Sequence, residues 1–247
     1  PFQILIQDET EKITGIEKMP DFLLCFSADN AYAVFGDGPN AAGAGGFSGA
    51  KNIAPRQGLV PGGAHLSTSL GAFYISERGL YMVTPNTQIN YLGASVEDSF
   101  VANGGTTGTP VKSLVLDDDE NEIRMLMQNN SVVLIYNTFF NTWYQWDIST
   151  GNTANQKIVD QRIINRTYVA LQDNGSVLTA AKTSYQDQYV SSAGVTTTTN
   201  YDMEVELHSI SVNGLQGAQR VYRVQLLGDY VDANDLTMQI FNDYATS

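Results

Sequence analysis

The sequence predicts an all-β chain built from β-propeller blades. Helical periodicity is nearly absent, and the apolar runs are short, β-branched or aromatic, and broken by Gly, Asn, Asp and Ser. Four stretches repeat one form, an apolar strand, a tight polar turn and a second apolar strand: FLLCFSADNAYAVFG, GAFYISERGLYMVT, IRMLMQNNSVVLIYN and RTYVALQDNGSVLTAA. Their turn residues Asn30, Gly79, Asn130 and Gly175 follow one another at 49, 51 and 45 residues. A period of that size, holding a hairpin and its flanking strands, suits a propeller blade. A β-sandwich with fortuitously even spacing is the competing architecture.

Each turn carries residues that accept a positive φ or cap a bend, including the Asn174–Gly175 pair. Flanking strands are legible in KSLVLDDDENEIRMLM, before the third hairpin, and in NTWYQWDIS after it. The opening PFQILIQDET also reads as strand. Because the chain starts with Pro1, it is expected to be a piece of a longer polypeptide or a processed product, with any further blades preceding Pro1.

These blades are assigned to 1–181, and a C-terminal antiparallel β-unit to 182–247. The stretch TSYQDQYVSSAGVTTTTNYD reads as a loop or an extended connecting strand. After it, apolar residues alternate at Met203, Val205, Leu207, then Tyr222, Val224, Leu226, then Leu236, Met238, Ile240, the pattern of sheets with one buried face. The segment LLGDYVDANDLTMQIF supplies a bend between two of those strands.

Composition excludes several classes of function. The net charge is −13, and the thirteen Lys and Arg are scattered singly. Gripping nucleic acid or an anionic membrane needs clustered cations. No apolar run approaches the ~20 residues that cross a bilayer. The lone Cys25 lies in an apolar strand-like run and reads as a buried, inert thiol.

No catalytic, cofactor or metal site is assigned, and enzymatic activity is not expected. His65 and His208 fall in different units without metal-ligand partners at useful spacing, so both read as structural. The acidic run Asp117 to Glu122 lacks the Gly and terminal Glu spacing of an EF-hand and reads as a solvated turn. The Gly-rich GPNAAGAGGFSG and NGGTTGTP lack a Lys–Ser/Thr ending and open no helix, so they read as long flexible loops between blades rather than phosphate cradles. No Gly-x-Ser-x-Gly elbow occurs. Among 26 acidic residues a spatial carboxylate pair remains open, but the Ser-x-Asp-x-Gly…Trp boxes of sialidase propellers are missing; LQDNGSVL comes nearest.

One stretch stands apart. IYNTFFNTWYQW, Ile135 to Trp146, holds six aromatic rings in twelve residues and both tryptophans of the chain. Strand parity puts Trp143, Gln145 and Asp147 on one face and Tyr144 and Trp146 on the other. A flat sugar platform needs two or three rings on one exposed face, so packing at the blade edge is favoured over a ligand site at Trp143, Tyr144 and Trp146.

SVVLIYNTFFNTWYQW resembles the blade signature of the β-propeller tail proteins of short-tailed bacteriophages, a strand ending in Tyr-Asn, an aromatic turn and a Trp. GLVPGGAHLSTSLGAFYISERGLYMVT is similar to a neighbouring blade of that family, and GLQGAQRVYRVQLLGDYVDANDLTMQIFNDY to its C-terminal unit. The resemblance spans Ile13 to Tyr244. It implies a structural virion component: a subunit of the tail hub or nozzle below the portal, also described as a packaged-DNA stabilisation protein. It further implies a ring-forming homo-oligomer contacting portal, adaptor and other tail proteins, with packaged DNA passing nearby without specific binding. No ring-forming or portal-binding residues carry over. The alternative is a glycan- or receptor-binding tail or surface module using Trp143, Tyr144 and Trp146.

Overall fold

The computed structural model describes residues 11–42, 44–104, 110–129, 132–147, 157–180, 187–190 and 196–199. The chain divides into two compact units, Pro1–Thr199 and Asn200–Ser247. The turn residue Asn130, the strand read in PFQILIQDET, His208 and the three C-terminal alternating strands lie outside the described residues.

The first unit is a succession of antiparallel meanders, the blades of a β-propeller. Blade 1 joins β1 (Ile13–Lys18), β2 (Phe22–Ser27), β3 (Asn30–Phe35) and β4 (Lys51–Pro55) in sequence order. Blade 2 joins β5 (His65–Ser67), β6 (Ala72–Ser76), β7 (Gly79–Val83) and β8 (Ile89–Tyr91). Blade 3 joins β9 (Val111–Asp117), β10 (Glu122–Met127), β11 (Val132–Asn137) and β12 (Thr142–Asp147). Blade 4 has three strands, β13 (Ile158–Ile164), β14 (Thr167–Gln172) and β15 (Val177–Thr179). First strands meet in turn, β1 with β5, β5 with β9 and β9 with β13. They form the inner edge of each blade, and β4, β8 and β12 form the outer edge.

Each of the four sequence-defined hairpins is a central pair of one blade or, in the last case, its final pair. Gly79 and Gly175 adopt the positive φ that their turns require, 137° and 83°. Asn30 serves differently: it is the first residue of β3, and its N–H donates to Ser27 Oγ at 2.9 Å. Both flanking strands read from the sequence are present, as β9 and β12.

Blades pack face to face, so a middle blade has no wet side. Ile123, Met125 and Met127 of β10 and Val132, Leu134 and Tyr136 of β11 meet Phe73, Ile75 and Leu80 of blade 2. The opposite parity, Leu126, Val133 and Ile135, meets Ile158, Tyr168 and Ala170 of blade 4. Every residue of β10 is consequently buried. Blades 1 and 2 join through Phe22, Leu24 and Phe26 against Tyr74, Tyr81 and Val83. Cys25 sits on the other face of β2, buried beside Tyr32 and Val34, and burial raises its thiol pKa, as expected of an inert cysteine.

Three features differ from the sequence reading. A short helix, α1 (Glu97–Gly104), follows blade 2, where helical periodicity is too brief to register; Glu97 and Asp98 favour its N-terminal turn and Phe100 is buried in the core between blades 2 and 3. GPNAAGAGGFSG lies within blade 1, joining β3 to β4, and not between blades. Its ends are tied down: Asn40 Oδ1 accepts from the N–H groups of Ala42 and Ala44, and Ser48 exchanges hydrogen bonds with the backbone of Phe35. Finally, the stretch read as a loop or connecting strand holds a hairpin, β16 (Asp187–Val190) with β17 (Thr196–Thr199).

Phe73 is fully buried between blades 2 and 3. Phe73→Ala is expected to cost about 3–5 kcal/mol in urea unfolding, whereas Leu70→Ala, at an exposed turn position, should stay within about 0.5 kcal/mol. Equal losses at the two positions would contradict the blade contact.

Candidate functional site at the outer edge of blade 3

The aromatic segment forms the outer hairpin of blade 3. Its turn, Thr138 to Asn141, is the companion of the turn Asp118 to Asn121 between β9 and β10. Each has four residues and ends in an asparagine with positive φ, 54° at Asn141 and 57° at Asn121, which asparagine tolerates better than most residues. The two turns are hydrogen-bonded side by side: the N–H and Oγ1 of Thr138 both donate to Asn121 O, at 2.8 and 3.0 Å. Asn137 Oδ1 accepts from the N–H groups of Phe139 and Phe140, and Tyr136 Oη donates to Asn141 Oδ1 at 2.8 Å.

The rings of β12 divide by parity. Trp143 faces blade 2, packs on Tyr136 with ring centroids 5.1 Å apart, and donates its indole N–H to Leu92 O at 2.9 Å. Tyr144 and Trp146 point the opposite way, toward blade 4, with centroids 6.4 Å apart. Trp146 meets Tyr168 edge to face. The structure therefore brings Tyr144 and Trp146 together and separates Trp143 from both.

Beneath Trp146 lies a buried polar cluster. Asp117 and Glu122 are direct cross-strand partners, an arrangement that sets like charges side by side. Arg124 spans them: its Nη2 donates to Asp117 Oδ2 at 2.9 Å and to Glu122 Oε2 at 2.8 Å. All three side chains are buried. The guanidinium also lies against the rings of Trp146 and Tyr168, 4.6 and 4.7 Å from their centroids, which adds cation–π attraction. Tyr144 Oη donates to Glu122 Oε1. From blade 4, Gln161 Nε2 donates to Ser113 O and Arg124 O, while its Oε1 accepts from Tyr168 Oη at 2.8 Å.

The acidic run is thus not a solvated turn throughout. Asp118 to Asn121 bend the chain, but its ends, Asp117 and Glu122, are buried ion-pair partners. Burial pushes the Glu122 pKa up, and the attraction of Arg124 only partly offsets it. Burial likewise pushes the Tyr168 phenol up to about 12, with Arg124 pulling the other way. This constellation clamps two blades together. Its acids are bound to Arg124 and its rings are in contact, so it presents no open reaction centre.

Elsewhere, His65 on β5 sets its Nδ1 3.2 Å from Glu17 Oε1 and stacks near Phe26, linking blades 1 and 2. A concavity of about 590 Å³ lies between blades 1 and 2, lined by Glu11, Asn30, Arg56 and Glu77 among others. Glu11 is already held there by Asn30 Nδ2 and by Tyr32 Oη. Among the described residues no group of three or more His, Cys, Asp or Glu is placed to hold a metal ion, and no helix is long and apolar enough to cross a membrane.

No protein-family model matches the chain, and no curated protein matches it. Solved structures that superpose on it include the Neurospora crassa Pan2 WD40 domain, at TM-score 0.42 and 12% identity over 70% of this chain and 47% of that one. Another is Kluyvelomyces marxianus Hsv2, at TM-score 0.44 and 10% identity over 78% of this chain and 54% of that one. These superpositions are loose, and the blade assignment rests on the strand order and the meeting of first strands.

Removing Arg124 leaves two buried carboxylates facing each other, so Arg124→Ala is expected to cost about 3–5 kcal/mol in denaturant unfolding. A loss near zero would mean that water reaches the cluster. The raised pKa of Glu122 sets a second expectation. The folded state binds its proton more tightly than the unfolded chain, so this group adds stability as pH falls through its raised pKa, in full once the pH is below the ordinary glutamate range. The stability of the native protein minus that of Glu122→Gln, which has no proton to bind there, should therefore rise between pH 7 and pH 4. A difference that falls over this range would reverse the assignment.

Proposed function

We propose that the chain is a structural virion protein, a subunit of the tail hub or nozzle beneath the portal of a short-tailed bacteriophage. Two of the segments that resemble that family coincide with intact blade parts: the outer hairpin of blade 3, and β5 to β7 of blade 2. The acidic chain would repel DNA phosphates, which suits the wall of a conduit that must not retain its cargo.

The observation that carries the assembly role is the outward face of blade 4. Tyr168, Ala170, Gln161 and Leu178 face blade 3, so the alternate residues face away. That outward set includes Ile164, Leu171 and Val177, which are 51%, 40% and 59% exposed. Asp160 and Arg162 are set among them, 3.6 Å apart. Residues 157–180 carry three basic side chains, Lys157, Arg162 and Arg166, against Asp160 and Asp173. Blade 4 is therefore net positive in a chain of net charge −13. An apolar sheet face without excess negative charge is where a second acidic copy meets least repulsion, as a ring of subunits requires.

The glycan-binding alternative draws on Trp143, Tyr144 and Trp146. It asks for a shared platform, and β12 turns Trp143 away from the other two.

Antibody raised against the chain and imaged by electron microscopy on purified virions carrying it should label the tail axis below the capsid. Label at fibre tips would favour receptor recognition, and unlabelled particles would overturn the virion assignment. Light scattering should also find that the paired substitutions Leu171→Lys and Val177→Lys lower the mass of the assembled species; an unchanged mass would clear that face of any subunit contact.

A further inference from the structure

Phe139 and Phe140 are the most exposed large apolar residues among those described, at 73% and 69%. Single exposed apolar side chains are ordinary on protein surfaces. This pair is different in how it is held. The rings meet edge to face with centroids 4.9 Å apart, at the tip of a turn that points out of blade 3. Asn137 Oδ1 fixes both of their N–H groups, Thr138 ties the turn to Asn121, and Asn141 closes it through Tyr136. The rings are therefore presented without the ordering cost that a loose loop would incur on binding. Turn formation itself needs no phenylalanine at these positions: the companion turn does the same work with Asp119 and Glu120.

That companion turn supplies the chemistry of the flank. Asn137 Nδ2 donates to Glu120 O at 3.3 Å, which holds the two turns in contact. Asp118 and Glu120 are exposed beside the aromatic tip. Asp119 is paired with Arg166 from the β13–β14 turn, whose Nε donates to Asp119 Oδ2 at 2.8 Å. The tip is thus two rings in edge-to-face contact on a hydrogen-bonded turn, beside an acidic shoulder.

We propose that the Phe139–Phe140 tip is a docking knob for another protein whose apolar surface is rimmed with lysine or arginine. Charge decides the class of partner. An anionic lipid surface would be repelled by Asp118 and Glu120. A second copy carries a net charge of −13, and the apolar face of its blade 4 is a flat sheet on which Arg162 already lies 3.6 Å from Asp160, so it offers neither a cleft for two projecting rings nor a strongly basic rim. A cationic amphipathic surface satisfies both halves, with apolar side chains closing over the rings and basic ones meeting the shoulder. This inference does not depend on the virion assignment, and a failed virion label would leave it standing.

The test uses the full chain and a synthetic amphipathic helical peptide of leucine and lysine, with a twin carrying glutamate for lysine. Fluorescence anisotropy should show binding of the lysine peptide and none of the twin. The double substitution Phe139→Ser and Phe140→Ser leaves net charge unchanged and should weaken binding at least about tenfold at an unaltered thermal midpoint. Asp118→Asn with Glu120→Gln should weaken it several-fold, with a reduced dependence on salt. Equal binding by the serine variant, equal binding of the twin, or no binding by the native chain would each overturn the knob.

Discussion

Burial of β10 and β11 on both faces governs most of what surrounds them. A strand in a two-layer sandwich can keep alternate residues in water, and its polar groups then need no special partners. Blade 3 has neighbours on both sides, so Glu122, Arg124 and Leu126 are as buried as Ile123, Met125 and Met127. A charged residue in such a strand must be answered by another charge or be neutral. The Asp117–Arg124–Glu122 group and its two covering rings are that answer.

The same constraint explains why the tryptophans sit where they do. At the outer edge of a blade the neighbouring sheets splay apart, and the gap grows faster than an aliphatic side chain can fill it. Trp143 spans the gap toward Leu92, and Trp146 spans the other side toward Tyr168. Trp146 also covers the Arg124 guanidinium. The ring-rich sequence is therefore accounted for in two parts: the rings of β12 close the blade edge, whereas Phe139 and Phe140 close nothing.

Much of the fold was legible because its signals are local. The hairpins of blades 1 to 3 depend on short β-branched or aromatic runs and on turn residues such as Gly79, all within reach of one another in sequence. Strand parity alone placed Trp143 opposite Tyr144 and Trp146. Less legible was β13, which meets β14 through a two-residue turn at Asn165 and Arg166, both at positive φ. An Asn-Gly pair would have marked that turn, but arginine gives no such sign. The buried clamp was hidden for a different reason. In LDDDENEIR nothing separates the carboxylates that bend into solvent from those that bind Arg124, because the distinction comes from the register of β9 against β10 and from blade 4 across the interface.

Charge distribution links the clamp to the surfaces beyond it. Between blades 3 and 4 the acids of blade 3 are matched by Arg124 from the same blade and, at the rim, by Arg166 from the next one. That second pairing is exposed and worth little in stability, and Asp118 and Glu120 lie exposed beside it at that shoulder's tip. Blade 4, having contributed Arg166 inward, still presents Arg162 on its outward face. The two surfaces thus differ in kind: an acidic shoulder bearing two projecting rings, and a flat apolar sheet face on which Asp160 and Arg162 are paired. A flat sheet face is complementary to another sheet, as each blade is to its neighbour, whereas a projecting pair of rings needs a cleft. On the two proposals made above, one protein with both surfaces would join its own kind through the first and a different partner through the second, without the two contacts competing for the same residues.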